Sequence, residues 1–148
     1  MTVSKLKGFV KPGAGRDGVF ITGLIPNVLK GFDPTRKTLI VNVGGASATF
    51  TLNAKGLGRI NNGAAVLKFK PAIRNKKTKK FVFQGGNVAF AFKLQNGSWA
   101  ATWGLPSGGT SAGKMTMTTT ITLDGTVYAT ATTINYSMKG KGGEKFSK

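Results

Sequence analysis

Arg74, Lys76, Lys77, Lys79 and Lys80 fall within one short run, and Lys68 and Lys70 stand just upstream of it. So dense a cluster of cations suits one chemistry above others. It holds phosphate or sulfate oxygens as point charges, with an affinity that falls steeply as salt rises and with little sequence selectivity. The same residues also read as a solvated loop whose lysines keep neighbouring strand edges from pairing with other chains. Aromatic rings are the second ingredient of many polyanion sites. Trp99 and Trp103 are spaced so that, on a strand over 98–103, they share a face and form a platform for a sugar ring or a base. The core is the first reading for both and the platform the second, since Trp99 is the counterpart of Phe20 in an internal repeat and Ala100, Ala101 and Thr102 offer few polar partners beside the rings.

Other chemistries lose necessary parts. The chain has no His, no Cys and only four acids, Asp17, Asp33, Asp124 and Glu144. Zinc sites need Cys or His, Ser-His-Asp and thiol catalysis need absent residues, and calcium cages need clustered carboxylates. The Gly-rich stretch 104–113 lacks a Gly-x-x-x-x-Gly-Lys-Thr run and a following helix, so it is no phosphate cradle. The Thr ladder of Thr116, Thr118, Thr120 and Thr122 reads as the wet side of a strand. The expectation is a protein that is not an enzyme, with no catalytic residue, no metal and no cofactor.

Charge then points to partners. With 22 Lys and Arg against 4 acids, the 148-residue chain carries a net charge of +18, more than the magnitude of about 2 to 8 that keeps a small domain soluble. Such a field attracts DNA, RNA, lipopolysaccharide and acidic polysaccharide. A hydrophobic content of 40% with ten Phe is enough for a packed core and outside the range of disordered chains. Residues 1–11 contain no apolar signal-peptide core, and no segment approaches a transmembrane span.

Positioning these residues requires β-structure. From 46 to 53, Ala46, Ala48, Phe50 and Leu52 alternate with Ser and Thr, and the same period of two returns at 64–70, 88–94 and 114–123. Gly44-Gly45, Asn96-Gly97 and Asp124-Gly125 are hairpin turns by composition, and Asn62-Gly63, Gly85-Gly86 and Gly108-Gly109 mark longer bends. About nine strands result: 5–10, 18–24, 38–43, 46–52, 64–70, 80–83 running on into 88–94, 98–103, 114–123 and 126–138. The expected fold is a single all-β domain, an antiparallel sandwich first and a closed barrel second. Its expected core holds Phe20, Val41, Phe50, Leu52, Leu67, Phe69, Phe90, Phe92, Trp99, Met117 and Ile121.

An internal repeat is expected as well. Asp17-Gly18 through Pro26 resembles Asn96-Gly97 through Pro106, the hairpin turning at Gly44-Gly45 resembles the one at Asp124-Gly125, and Lys-Gly-x-Gly follows at 55–58 and 139–142. The offsets run from about 79 to 84 positions. This gives two similar halves, approximately 5–70 and 85–148, related by a pseudo-two-fold axis. Between them lies the basic loop 71–80, and 139–148 is read as a basic tail or linker.

The segments Val41-Asn42-Val43-Gly44-Gly45, Phe50-Thr51-Leu52-Asn53-Ala54-Lys55-Gly56 and Leu123-Asp124-Gly125-Thr126-Val127-Tyr128, with the closing Lys-Gly-Lys-Gly, resemble a β-domain that occurs in tandem copies in large secreted or surface proteins of Gram-negative bacteria. Asn53 stands where that pattern has Asp. The resemblance implies a modular role, an extracellular or cell-surface location and neighbouring copies or domains as partners, with the cytoplasm as the alternative location. The functional expectation is therefore a non-catalytic structural or adhesive module. The alternative is a polyanion-binding protein for nucleic acid or acidic polysaccharide that uses Lys68, Lys70, Arg74, Lys76, Lys77, Lys79 and Lys80.

Overall fold

The computed structural model describes residues 1–11, 15–105, 112–138 and 144–148. These form twelve strands: β1 Thr2–Val10, β2 Asp17–Val28, β3 Thr38–Val43, β4 Ala46–Thr51, β5 Leu57–Ile60, β6 Gly63–Lys68, β7 Ala72–Arg74, β8 Phe81–Phe83, β9 Gly86–Gly97, β10 Ala112–Leu123, β11 Thr126–Met138 and β12 Glu144–Ser147. Ten join one antiparallel sheet in the order β4-β3-β10-β11-β12-β1-β2-β9-β6-β5, while β7 and β8 pair separately. The two edge strands, β4 and β5, lie against each other, so the sheet is nearly closed into a barrel. The all-β expectation holds, and of the two arrangements anticipated it is the barrel that describes this single continuous sheet. Register shifts in the β1/β2 and β2/β9 ladders are the bulges that bend and twist long strands enough to curl.

Alternation fills the interior. Val19, Ile21 and Ile25 of β2, Val88, Phe90, Phe92 and Leu94 of β9, and Met117, Ile121 and Leu123 of β10 all point inward. Val41, Phe50, Leu52, Leu67, Phe90, Phe92, Met117 and Ile121 are buried as expected, while Phe69 and Trp99 are half-buried and pack against the core from its edge. Phe20 is a correction. It lies on the outer face, opposite Lys7 of β1 and Lys93 of β9, because β2 places Val19 and Ile21 inside and period two sends the residue between them out.

Three further expectations are corrected. Residues 98–103 are not a strand: they turn, with Trp103 N–H bonded to the Trp99 carbonyl at 2.8 Å. The run 80–94 is divided, since β8 pairs with β7 outside the barrel and β9 pairs with β2 and β6 inside it. The end of the chain is no tail. β12 is inserted between β11 and β1, and Phe146 is 2% exposed. The reason is a single aromatic: the ring of Phe146 lies over Gly8 of β1, in the space a side chain there would fill. Gly108-Gly109, Pro106 and the closing Lys-Gly-Lys-Gly of 139–142 lie outside the described residues.

The two hairpins that share the expected repeat offset are neighbours in the sheet. Val41 of β3 pairs with Ile121 of β10, and these two are 80 positions apart. That offset also separates the two hairpin turns, Gly44-Gly45 between β3 and β4 and Asp124-Gly125 between β10 and β11. Strand order reads outward from the β3/β10 pair as β4, β5, β6, β9 one way and β11, β12, β1, β2 the other. Residues 98–103, the expected counterpart of the strand 18–24, are a turn.

Candidate polyanion interface

Five of the seven sequence-derived cations lie on one projection, the β7–β8 hairpin, and Lys68 and Lys70 lie at its approach. Lys68 faces outward at the end of β6, Lys70 follows it, Arg74 ends β7, and Lys76, Lys77, Lys79 and Lys80 form the turn that leads into β8; all are exposed. Asn75 builds that turn. Its side-chain oxygen accepts from the N–H groups of Lys77 and Thr78 at 2.9 and 3.0 Å, an arrangement that replaces backbone partners in tight turns. Lys79 takes a left-handed conformation, φ 60°. Near the base of the projection, Asp33 accepts hydrogen bonds from the Thr35 hydroxyl at 2.6 Å and the Thr35 N–H at 2.9 Å. These bonds, with smaller help from Lys80 and Lys37, hold its carboxyl below the ordinary value. Phe81 and Ile73 on the projection are largely exposed, at 72% and 61%.

The tryptophans do not form one flat surface. Their ring centroids are 5.5 Å apart with planes inclined at 48°. Trp103 is buried, its Nε1 donating to the Val43 carbonyl at 2.9 Å and its ring set edge-on to Phe146 at 5.0 Å. Asp17, itself buried, organises this turn by accepting from the N–H groups of Trp99 and Ala100 at 2.5 and 3.1 Å and from that of Lys11 at 3.3 Å.

A second basic surface was missed in the sequence. Outward residues of adjacent strands line up in rungs: Lys145, Phe9 and Gly18; then Lys7, Phe20 and Lys93; then Lys5, Thr22, Ala91 and Val66; then Leu24, Ala89 and Lys68. The middle of this wall is aromatic, aliphatic or small, and Lys145, Lys7 and Lys5 flank it on one side and Lys93 and Lys68 on the other. At one end it forms a groove of about 560 Å³ lined by Lys7, Phe9, Lys11, Phe20, Lys93 and Lys145, among others, with no acidic side chain among the described lining residues. Lys11 Nζ stands 5.4 Å from the Phe9 ring centre and Lys5 Nζ 5.8 Å from that of Phe20, within the range of a cation attracted to a ring face. The signal was present in Lys5-Leu6-Lys7-Gly8-Phe9-Val10-Lys11, whose period of two puts every cation and the aromatic on one side.

The described carboxylates are occupied. Asp17 holds backbone N–H groups, Asp33 holds Thr35, and Asp124 pairs with Lys37 at 2.6 Å. Among the described residues there is no group of three or more metal-ligating side chains, and no helix is long and apolar enough to cross a membrane. Compared with protein-family models, curated proteins and solved structures, the chain finds no match.

Proposed function

We propose that this domain is a non-catalytic binding module for polyanions. The observation that carries the reading is the outer wall of β12, β1, β2, β9 and β6, where lysines flank a floor of aromatic, aliphatic and small residues. A linear polyanion laid along that floor meets cations on either hand, while the β-ladders beneath keep them in place. Charge on a rigid face costs less ordering on binding than charge on free tails. The inventory of residues supports the non-catalytic part: no His or Cys, and three of four acids tied to backbone, Thr35 or Lys37. A surface-exposed modular role, as the sequence resemblance implies, is compatible with such a module.

Titrating the protein with a DNA duplex and with heparin at rising salt tests the reading. Log affinity should fall linearly with log salt, and the Lys7→Gln, Lys93→Gln, Lys145→Gln triple variant should reduce the DNA slope by about 0.9 for each phosphate it no longer neutralises. A control triple at Lys30, Lys76 and Lys114, exposed residues that belong to none of these rungs, should change it less. Equal effects of the two triples would mean that the charge is a surface property and the wall is not a site.

A further inference from the structure

We infer that the polyanion is a single-stranded nucleic acid, and that Phe9 and Phe20 stack on its bases while the lysines beside them take the phosphates. This rests on the polyanion reading and adds the ligand's chemistry. Charge alone does not distinguish a nucleic acid from a sulfated polysaccharide; aromatic rings beside the cations favour the nucleic acid, because every base offers a flat π-face, whereas a heavily sulfated sugar ring is puckered and crowded by charged groups.

The geometry of Phe9 carries the argument. Phe9 and Gly18 are cross-strand partners, and the far end of the Phe9 ring lies over Gly18, 2.6 Å from where a Cβ would sit. The ring therefore reaches across β2 above Gly18 and lines the outer groove. Gly18 is the residue that lets it do so, since any side chain there would hold the ring up. Phe20 stands two residues along β2 from Gly18, diagonally across from Phe9, a relation that spaces side chains by about 7 to 8 Å. Each ring has its own cation over it, Lys11 at Phe9 and Lys5 at Phe20, and a stacking base displaces that ammonium onto the neighbouring phosphate. Two rings in sequence with paired cations match the repeat of a strand whose bases are splayed to one side and whose phosphates run along the other. The floor beyond them, Thr22, Ala91 and Ala89, is small enough to let a backbone pass toward Lys68.

The experiment compares three probes of similar charge by fluorescence anisotropy: a single-stranded oligo-thymidine, the same oligonucleotide with abasic sites, and heparin. Variants Phe9→Leu and Phe20→Leu keep apolar bulk on the wall and remove the π-face, with the melting temperature as a check on folding. The inference expects the oligo-thymidine to bind at least tenfold tighter than its abasic counterpart. Each Leu variant should lose about fivefold or more of the oligo-thymidine affinity, with heparin affinity unchanged. Equal binding of all three probes, unaffected by the Leu variants, overturns the nucleic-acid assignment and leaves polyanion binding standing. Absence of salt-dependent binding to any probe overturns both.

Discussion

Lys7 and Lys80 are both exposed lysines in basic neighbourhoods, yet the chain holds them in different ways. Lys7 sits mid-strand in β1, with β12 paired on one side and β2 on the other, so its backbone can move only if the barrel does. Lys80 closes a turn whose internal order comes from one Asn side chain and a few local bonds, on a two-stranded sheet outside the barrel. A lone two-stranded hairpin is marginal in water, and this one is anchored mainly through Phe83, which is buried and meets Phe69 edge-on at 5.5 Å. Charge density alone therefore picked out the less ordered of the two surfaces. A site needs positioned charge, and the barrel wall supplies the positioning.

The largest effect that tests this contrast is on stability. Phe146→Ala empties a core position on β12 and removes the ring that covers Gly8, which should cost about 3 to 5 kcal/mol. Phe81→Ala on the projection, where the ring is 72% exposed, should stay within about 0.5 kcal/mol. Urea denaturation of both variants measures the difference, and comparable losses would mean that the hairpin is as integral to the fold as β12.

The binding contrast comes next. Neutralising Lys76, Lys77, Lys79 and Lys80 together should weaken oligonucleotide binding less than neutralising Lys7, Lys93 and Lys145, although it removes one more charge. Salt titrations of the two variants side by side decide the matter. A larger loss from the hairpin variant would reverse the roles assigned to the two surfaces.

A smaller effect concerns Gly18 alone. Gly18→Ala puts a methyl group under the Phe9 ring, and because the atoms it meets are the far end of a side chain, the ring can tilt while the backbone stays. The expected cost in stability is about 1 kcal/mol or less, with a loss of oligo-thymidine affinity that approaches that of Phe9→Leu. If binding is untouched while the ring is displaced, as read from the ring-current shifts of nearby protons, then Phe9 is surface cover and no platform.

The sequence made most of the long strands legible, because period two and Gly pairs are local signals, but not the short β5, β7 and β12, and Asn96-Gly97, which reads as a hairpin turn, ends β9. Positions such as Phe50, Leu67 and Phe92 could be placed inside from alternation alone. Phe20 could not, since Val19-Phe20-Ile21 is apolar in both parities and nothing local says which way the strand faces. The wall was half visible: the alternation from Lys5 to Lys11 marks one basic face, but its neighbours come from residue 145 at the far end of the chain and residue 93 in the middle. Phe146 was hidden among Gly and Lys, where composition reads as a solvated tail. What joins these segments is long-range pairing, which no window of sequence contains.

The smallest effect lies at the foot of the hairpin and depends on pH. Two hydrogen bonds from Thr35 hold the Asp33 carboxyl below its ordinary value of 3.8, and the nearby charges of Lys80 and Lys37 act in the same direction. A carboxyl depressed by folding stabilises the native state fully above its unfolded value, and this contribution is lost as pH falls through the depressed one. Asp33→Asn keeps a side-chain oxygen that can accept the Thr35 bonds but removes the charge. The variant should therefore be slightly less stable than the parent at neutral pH, with the gap closing as pH drops below about 4. Because Asp33 is exposed, salt should narrow the gap as well. Denaturation midpoints of parent and variant, followed from neutral to acid pH at two salt concentrations, read the effect directly. A gap that persists unchanged into acid would show that the Thr35 bonds act by shape alone, leaving the lysines at the foot of the hairpin without a counter-charge that matters.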